Sequence, residues 1–232
     1  MLDQLIDMDQ KLLLALNGSD SLFMDGLMWT FTHTLTWIPL IAGLVYVVMK
    51  NHRLSVCFTV ILGAVLLVAF TDQFSSTLCK PYFHRLRPTH TPELAAAVDV
   101  VRGYRGGLYG FFSNHAANTF GTAMFFTLVF RHAPTGALLF GWAALSSYTR
   151  IYLGVHFPLD ITCGALFGML SGIIFWYACH RICRSQPLSS DYSTSVRTVT
   201  GYAKSDFSIV FLMASISLAY ALTRAVILAS SL

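Results

Sequence analysis

The chain has 232 residues, of which 55% are hydrophobic, 14% aromatic and only 11% charged. A soluble globular domain usually carries about 25% charged residues, so this composition excludes an ordinary soluble domain and predicts an integral membrane protein. The formal net charge of +4 discriminates little between functions, because the placement of charges along the chain matters more than their sum.

Residues 1–20 mix leucines with aspartates at near-helical spacing, and the pattern ends at Asn17-Gly18. This predicts a short amphipathic helix that lies at the membrane surface. A cleavable signal peptide would need a basic region before an apolar run, and this segment has none. We therefore do not expect it to be a signal peptide.

Six later segments are predicted to be membrane-spanning helices, because about 20 apolar residues suffice to cross the hydrocarbon core. They are residues 27–49, 54–74, 114–131, 134–148 (short, and completed by 151–155), 158–179 and 207–228. The predicted fold class is an all-α polytopic membrane protein with six transmembrane helices, forming one membrane-embedded domain over residues 1–232. Four threonines of the first span are interpreted as bonding the carbonyls of their own helix: Thr30, Thr32, Thr34 and Thr36.

Two polar regions, 79–112 and 149–157, follow even-numbered spans and are therefore expected on the side where the chain begins. The opposite side receives basic residues close to the span ends: Lys50, Arg53, Arg131, Arg181, Arg184, Arg197 and Lys204. Such residues favour a cytoplasmic location. We therefore expect 185–206 to be a cytoplasmic linker and 79–112 to be an extracytoplasmic active-site loop.

The stretch 149–160 holds an arginine, a histidine and an aspartate between two apolar segments, where charged groups are costly and usually functional. Pro158 predicts a helix start, with Phe157 as its cap and His156 just outside. Asp160 is then the third helical residue, whose carboxylate can reach back over the helix start. A histidine held by a carboxylate can act as a nucleophile or base. The alternative is a capped helix start with a chance histidine nearby.

Lys80 and Arg87 stand seven residues apart in the first polar region, a spacing that would put both on one face of a helix. Two cations on one face suit an oxyanion such as phosphate. Ser113 is a predicted cap for the third span, whose start can bind an anion, and His115 could protonate a leaving oxygen there. The alternatives are a basic cluster that touches lipid headgroups and a capped helix with an interfacial histidine.

Taken together, these pieces predict phosphoryl transfer without a metal. Lys80, Arg87 and Arg150 would stabilise the phosphoryl oxygens, and a histidine would serve as the nucleophile. The five cysteines have neither metal-ligand spacing nor the pattern of a disulfide framework. We therefore expect no metal site and no cofactor.

Three motifs in this order resemble the signature of the type-2 phosphatidic acid phosphatase family: Lys80-x6-Arg87-Pro88, Ser113-x-His115 and Arg150-x5-His156-x3-Asp160. The resemblance covers residues 54–179 and implies an α-helical core that the family shares with vanadium-dependent haloperoxidases. It also implies that His156 attacks phosphorus to form a phosphohistidine, that Asp160 orients it, and that His115 protonates the leaving group and later activates water.

The same resemblance implies a phosphate-binding set made of Lys80, Arg87, Ser113, Asn114 and Arg150. Two positions depart from the family pattern. Asn114 replaces a glycine whose backbone contacts phosphate, within Phe112-Ser113-Asn114-His115 where the family usually has Pro-Ser-Gly-His. Thr149 stands where the third motif usually opens with serine, and it keeps the hydroxyl.

By this resemblance we expect a bacterial lipid phosphatase acting on the outer side of the cytoplasmic membrane. Its expected substrates are undecaprenyl pyrophosphate, lipid A phosphates or phosphatidylglycerol phosphate. The expected partners are the phosphorylated lipid and the bilayer, with no nucleic acid and no obligate protein partner. One alternative is a phosphotransferase that passes the phosphoryl group to a lipid acceptor. Another is a lipid-binding or transport protein with no activity.

Arg102 and Arg105 lie outside the signature, in a glycine-rich part of the 79–112 region that also holds Tyr104 and Tyr109. Glycines let a loop approach a headgroup closely and act as a flexible lid. We expect the two arginines to recognise a second charge or a sugar on the substrate. The alternative is that they only touch anionic lipid.

Overall fold

The computed structural model describes residues 2–183 and 195–230, and the all-α fold class is confirmed there. Within these ranges the chain forms nine α-helices: α1 (Leu2–Leu16), α2 (Leu22–Thr32), α3 (Ile38–Asn51), α4 (Leu54–Gln73), α5 (Lys80–Phe83), α6 (Asn114–Phe130), α7 (Ala133–Tyr152), α8 (Pro158–Cys183) and α9 (Ser208–Ser230). A π-helical turn, Phe74–Cys79, joins α4 to α5. Extended pairing in the same ranges is limited to two isolated bridges.

Four helical segments of the described chain are long and apolar enough to cross a membrane: Thr34–Asn51, Leu54–Phe83, Pro158–Cys183 and Lys204–Ser230. They overlap the first, second, fifth and sixth predicted spans. The two remaining predicted spans are α6 and α7. Helix α6 packs against α4, α7 and α8, and α7 buries several polar side chains near its end, including Arg150. Because other helices enclose α6 and α7, these two helices need less apolar surface than a span that faces lipid. The count of six spans stays a prediction.

The predicted first span, 27–49, is wrong as a single helix, because the structure divides it into α2 and α3. Pro39 is the second residue of α3 and lacks the N–H that a continuous helix would use. The Thr36 hydroxyl crosses the break and donates to the carbonyl of Thr30, at 2.7 Å. Thr30 itself donates to Gly26 within its own helix, also at 2.7 Å. The chain leaves α2 at His33, whose ψ of 126° is extended, and a threonine satisfies a carbonyl that this break leaves free.

Helices α6 and α8 form the most extensive helix contact in the described chain. Three glycines on one face of α8 allow it: Gly164, Gly168 and Gly172. A β-carbon at Gly164 would lie 2.5 Å from the carbonyl oxygen of Ser113, and one at Gly168 would overlap that of Ala117. Small residues at such crossings let two backbones approach closely. This packing fixes the start of α6 against the start of α8, where the predicted site residues lie.

We expect Gly168→Ala to lower stability by about 1–3 kcal/mol, because the added methyl group forces two backbones apart. The matched control is Gly141→Ala on α7, where a β-carbon would meet no atom within 4 Å. That change should be neutral or slightly stabilising, because alanine favours helix more than glycine does. Thermal unfolding in detergent measures both. Equal melting temperatures for the two variants would contradict the close α6–α8 packing.

The end of the helix bundle away from the predicted site contains a cavity of about 840 Å³. Basic side chains line it: Lys50, His52, Arg53, Arg131 and His180. Three of the basic residues that the sequence assigned to one side of the membrane therefore meet at this end of the bundle: Lys50, Arg53 and Arg131. The predicted linker, 185–206, is described only from residue 195 onwards, and Arg184 also lies outside the described residues.

Helix α1 forms within the predicted residues, and one of its faces is buried against the rest of the protein. Leu13 is fully buried in a small cluster with Leu94, Val98, Ile151 and Phe157. Asp9, on the same helix, is only 4% exposed. One face of α1 is thus docked on the end of the bundle that carries the predicted site. Its contact with a lipid surface stays a prediction.

Candidate active site

The start of α8 has the local geometry that Pro158 predicts. The helix begins at Pro158, and Oδ2 of Asp160 accepts a hydrogen bond from the Phe157 backbone N–H at 3.1 Å. The same oxygen lies 3.4 Å from Nδ1 of His156, and both side chains are fully buried. A carboxylate only accepts hydrogen bonds, so this pairing favours the tautomer with its proton on Nδ1. The lone pair is then on Nε2.

Arg87 faces that lone pair. Its Nη1 lies 3.2 Å from Nε2 of His156 and donates to the carbonyl of Val155 at 3.0 Å. Its Nε donates to the carbonyl of Tyr109 at 3.2 Å. A buried guanidinium held at three points therefore lies beside the nitrogen that would attack phosphorus.

The expectation that Lys80 and Arg87 share a helix face is wrong. Helix α5 ends at Phe83, and His84 adopts a left-handed conformation with φ of 49°. Arg87 follows in an extended segment whose backbone N–H donates to the carbonyl of Leu108 at 3.0 Å. Lys80 and Arg87 therefore reach one site through the conformation of the loop after α5, and not through helical spacing.

Burial and neighbouring charges set the ionisation states of Arg87 and His156. Burial, followed by the charge of Arg150, lowers the pKa of Arg87 to about 10. Burial, followed by the charge of Arg87, holds the pKa of His156 well below its ordinary value. At neutral pH, Arg87 is therefore a cation and His156 a neutral imidazole, which is the form that can act as a nucleophile.

Arg150 is held by two groups that sequence patterns did not assign to the site. Its Nη1 donates to the hydroxyl of Thr32 at 2.6 Å, and its Nη2 donates to that of Tyr104 at 3.2 Å. The interpretation of Thr32 as bonding its own helix is therefore replaced by an interhelical contact. Among the described residues, the Nε of Arg150 is buried without a hydrogen-bond partner. A buried donor without an acceptor is costly, and a phosphoryl oxygen would satisfy it.

Asn114 bridges two charged groups. Its carbonyl oxygen accepts from Nζ of Lys80 at 3.3 Å, and its amide donates to Asp72 at 2.8 Å. The side chain that departs from the family pattern therefore holds Lys80 in place. Asp72 is a further residue that sequence patterns missed.

The start of α6 carries the second motif. Ser113 caps the helix, since its hydroxyl accepts from the Ala116 N–H at 3.4 Å. Its backbone N–H donates to the carbonyl of Asp160 at 3.0 Å, which ties this helix start to that of α8. His115 is partly exposed on the first turn, and in the described chain its imidazole has no hydrogen-bond partner. The ring is therefore free to meet a leaving group.

A second arginine of the loop contacts Asp160, and no sequence pattern assigned it to the site. Nη1 of Arg85 donates to Oδ1 of Asp160 at 2.6 Å, and Nη2 donates to Oδ2 of Asp9 at 2.6 Å. The Arg85 guanidinium also lies over the Phe157 ring, 4.4 Å from its centroid. Two features of the sequence are consistent with this contact. Arg85 lies between the motif cations Lys80 and Arg87, and Asp9 lies on an otherwise apolar face of α1.

The loop between α5 and α6 passes directly over these groups. A β-carbon at Gly110 would lie 3.1 Å from Oδ2 of Asp160 and 3.6 Å from Nδ1 of His156. Arg102 and Arg105 lie on the exposed outer part of this loop. Nη2 of Arg102 lies 3.4 Å from the Leu228 carbonyl in α9. The role of the two arginines in selectivity stays a prediction.

The predicted catalytic and phosphate-binding residues thus meet at one end of the bundle. The charges of Lys80, Arg87 and Arg150 all act on His156. The same three cations act on His115. This arrangement can bind a phosphoryl group and offer it a neutral imidazole. In the described parts of the chain, no three His, Cys, Asp or Glu side chains converge as metal ligands.

Three comparisons relate the chain to known proteins. A family model described as the PAP2 superfamily matches residues 54–182, just over half of the chain. A lipid A 4'-phosphatase of Bacteroides thetaiotaomicron is 39% identical over 184 residues, covering 78% of this chain and 81% of that protein. A lipid A 4'-phosphatase of Porphyromonas gingivalis is 37% identical over 191 residues, covering 82% of this chain and 80% of that protein.

The crystal structure of Aquifex aeolicus LpxE is similar with a TM-score of 0.54 and 27% sequence identity. The match covers 72% of this chain and 93% of that one. The region that the family model matches contains all three motifs and begins after α1.

Proposed function

The chain belongs to the PAP2 superfamily, and on that basis we propose that it hydrolyses a phosphate ester of a membrane lipid through a phosphohistidine. It is a phosphatase, and His156 is its nucleophile. One observation carries this proposal: His156 is buried, held through Nδ1 by Asp160, and turned through Nε2 toward Arg87, 3.2 Å away. A neutral, oriented imidazole beside a fixed cation suits attack on an anionic phosphoryl group.

In the first step, the Nε2 lone pair attacks phosphorus and the bond to the lipid oxygen breaks. His115 donates a proton to the departing oxygen, while three cations hold the non-bridging oxygens: Lys80, Arg87 and Arg150. In the second step, water attacks the phosphohistidine and gives a proton to His115. Inorganic phosphate leaves, and both histidines return to their starting state. Because these side chains supply the positive charge, the proposed reaction needs no metal.

The proposed substrate is a lipid A phosphate. Two relatives that each align with about four fifths of this chain carry the name lipid A 4'-phosphatase, which supports this choice. Undecaprenyl pyrophosphate and phosphatidylglycerol phosphate are the competing substrates. The chemistry of the phosphoryl site would serve all three lipids, so contacts with the rest of the headgroup decide between them.

We also propose a location for the site. In this proposal α3, α4, α6, α7, α8 and α9 cross the inner membrane, α1 contacts the membrane surface, and the active site faces the periplasm. The basic cavity at the opposite end of the bundle supports a cytoplasmic location for that end.

A substrate panel tests the proposed function. The purified protein is given lipid A phosphate, undecaprenyl pyrophosphate and phosphatidylglycerol phosphate in excess chelator, and free phosphate and lipid products are measured. We expect the fastest release from lipid A, with phosphate as the product. Loss of turnover in chelator that magnesium restores would contradict the metal-free reaction. Transfer of label to a lipid without phosphate release would instead indicate a phosphotransferase.

A selectivity prediction concerns the outer part of the active-site loop. Replacing Arg102 and Arg105 together by alanine should raise the KM for a lipid with two phosphates far more than for one with a single phosphate. Only the former offers a second anion for these side chains. The control is Arg224→Ala, an exposed arginine of α9 that bonds Tyr220 at 2.7 Å. An equal rise in KM on both lipids would mean that the loop arginines only touch the membrane.

A further inference from the structure

We propose that Asp9 and Arg85 are positioning residues for the catalytic pair, so that helix α1 holds Asp160 in its working orientation. The inference rests on the proposed function and extends it. A continuous series of contacts runs from α1 to the nucleophile. Asp9 binds Nη2 of Arg85 at 2.6 Å, Nη1 of Arg85 binds Oδ1 of Asp160 at 2.6 Å, and Oδ2 of Asp160 faces His156 at 3.4 Å.

The two oxygens of Asp160 have different partners. Oδ2 must accept from the Phe157 N–H and also face the His156 ring. Rotation of the carboxylate would break both contacts. The bond from Arg85 to Oδ1 opposes that rotation, because it holds the other oxygen on the opposite side. Arg85 therefore fixes the carboxylate that fixes the imidazole.

Asp9 completes this arrangement from a different part of the chain. Its Oδ2 holds Arg85, and its Oδ1 accepts from the backbone N–H of Leu159 at 2.9 Å. Leu159 directly precedes Asp160, so Asp9 binds both the side-chain partner of Asp160 and the helix turn that carries it. Asp9 is 4% exposed, which is a costly position for a carboxylate unless it is paired.

The guanidinium of Arg85 needs two acceptors to stay in this place. Its side chain is 25% exposed, so without Asp9 it could turn toward solvent. Two carboxylates on separate nitrogens hold it in one orientation. The alternative explanation is that the Asp9–Arg85 pair only docks α1, as Leu13 does in its apolar cluster. The two explanations differ in whether the charge of Asp9 affects the reaction through Asp160.

The first test measures phosphohistidine formation in a single turnover by rapid quench, together with KM and the melting temperature. Asp9→Asn keeps the size of the side chain and removes its charge. We expect the rate of phosphohistidine formation to fall about tenfold, the lower end of the loss seen when the hydrogen-bonded partner of a metal-binding side chain is removed, with little change in KM. The control is Asp7→Asn on the same helix, where an exposed carboxylate binds Lys11 at 2.7 Å. That variant should match the parent.

A mutant cycle then separates positioning from docking. If Asp9 acts through Asp160, then Asp9→Asn should slow an Asp160→Asn enzyme less than twofold, because the group it positions is already changed. Leu13→Ala weakens the docking of α1 without touching a charge. An equal loss of rate in Leu13→Ala at a matched melting temperature would overturn the proposal. A full tenfold loss for Asp9→Asn in the Asp160→Asn background would also overturn it.

Arg85→Lys decides the question if Asp9→Asn does not fold. One ammonium group cannot reproduce the two-pronged contact with both carboxylates, so the same fall of about tenfold is expected. An unchanged rate in that variant would overturn the proposal. Failure of the proposed function has a different signature, because the parent protein itself would then form no phosphohistidine.

Discussion

His156→Ala should abolish turnover, with a loss on the order of 10⁵-fold or more, which is the scale seen when an enzyme loses its nucleophile. Alanine removes the nitrogen that attacks phosphorus in the first step, so no phosphohistidine can form for water to hydrolyse. Phosphate release from the labelled lipid measures the loss. The control is His180→Ala at the other end of the bundle, where the ring stacks on Trp176 with centroids 5.4 Å apart.

The His180 variant should keep the parent rate. Turnover of His156→Ala above about one hundredth of the parent rate would fall far short of the loss expected for a nucleophile. It would show that another group attacks phosphorus. Purified variants must first have matching melting temperatures, because His156 is fully buried and its loss leaves a cavity.

His115→Ala should slow hydrolysis of a lipid phosphate by about 10²–10⁴-fold, the usual contribution of a general acid. The leaving alkoxide is a strong base and needs the proton that this imidazole supplies. An activated aryl phosphate leaves without that proton, so its first step should be nearly unaffected. The phosphohistidine should then accumulate, because His115 is also the base for the second step.

Comparing the two substrates in one variant isolates the proton donor from phosphate binding. A defect in binding would slow both substrates alike, whereas loss of the acid slows mainly the lipid. Equal losses on the lipid and the aryl phosphate would contradict the assignment of His115. So would an aryl phosphate reaction that leaves no phosphohistidine on the variant.

Local signals predicted the two helix starts that carry the reacting groups. Pro158 fixed the beginning of α8 and hence the reach of Asp160 to the Phe157 N–H. Ser113 marked the cap of α6. Both depend on residues within one helical turn, which is why a linear sequence suffices to identify them.

The contacts that hold the cations could not be predicted in this way. Thr32 and Arg150 are 118 residues apart, and Asp9 and Arg85 are 76 residues apart. No local periodicity encodes such pairs, because they depend on how whole helices pack. The assumed helix between Lys80 and Arg87 failed for a related reason. The left-handed turn at His84 and the pairing of the following segment with the returning loop override helical spacing.

The most direct test of the central claim is to trap the phosphoenzyme. The protein reacts with ³²P-labelled lipid A phosphate in excess chelator, is quenched in base, and is digested for mass spectrometry. We expect label that is stable in base and lost in acid, as a phosphoramidate is, on the peptide that contains His156. Full turnover with no trapped label, or label on any other residue, would contradict the account.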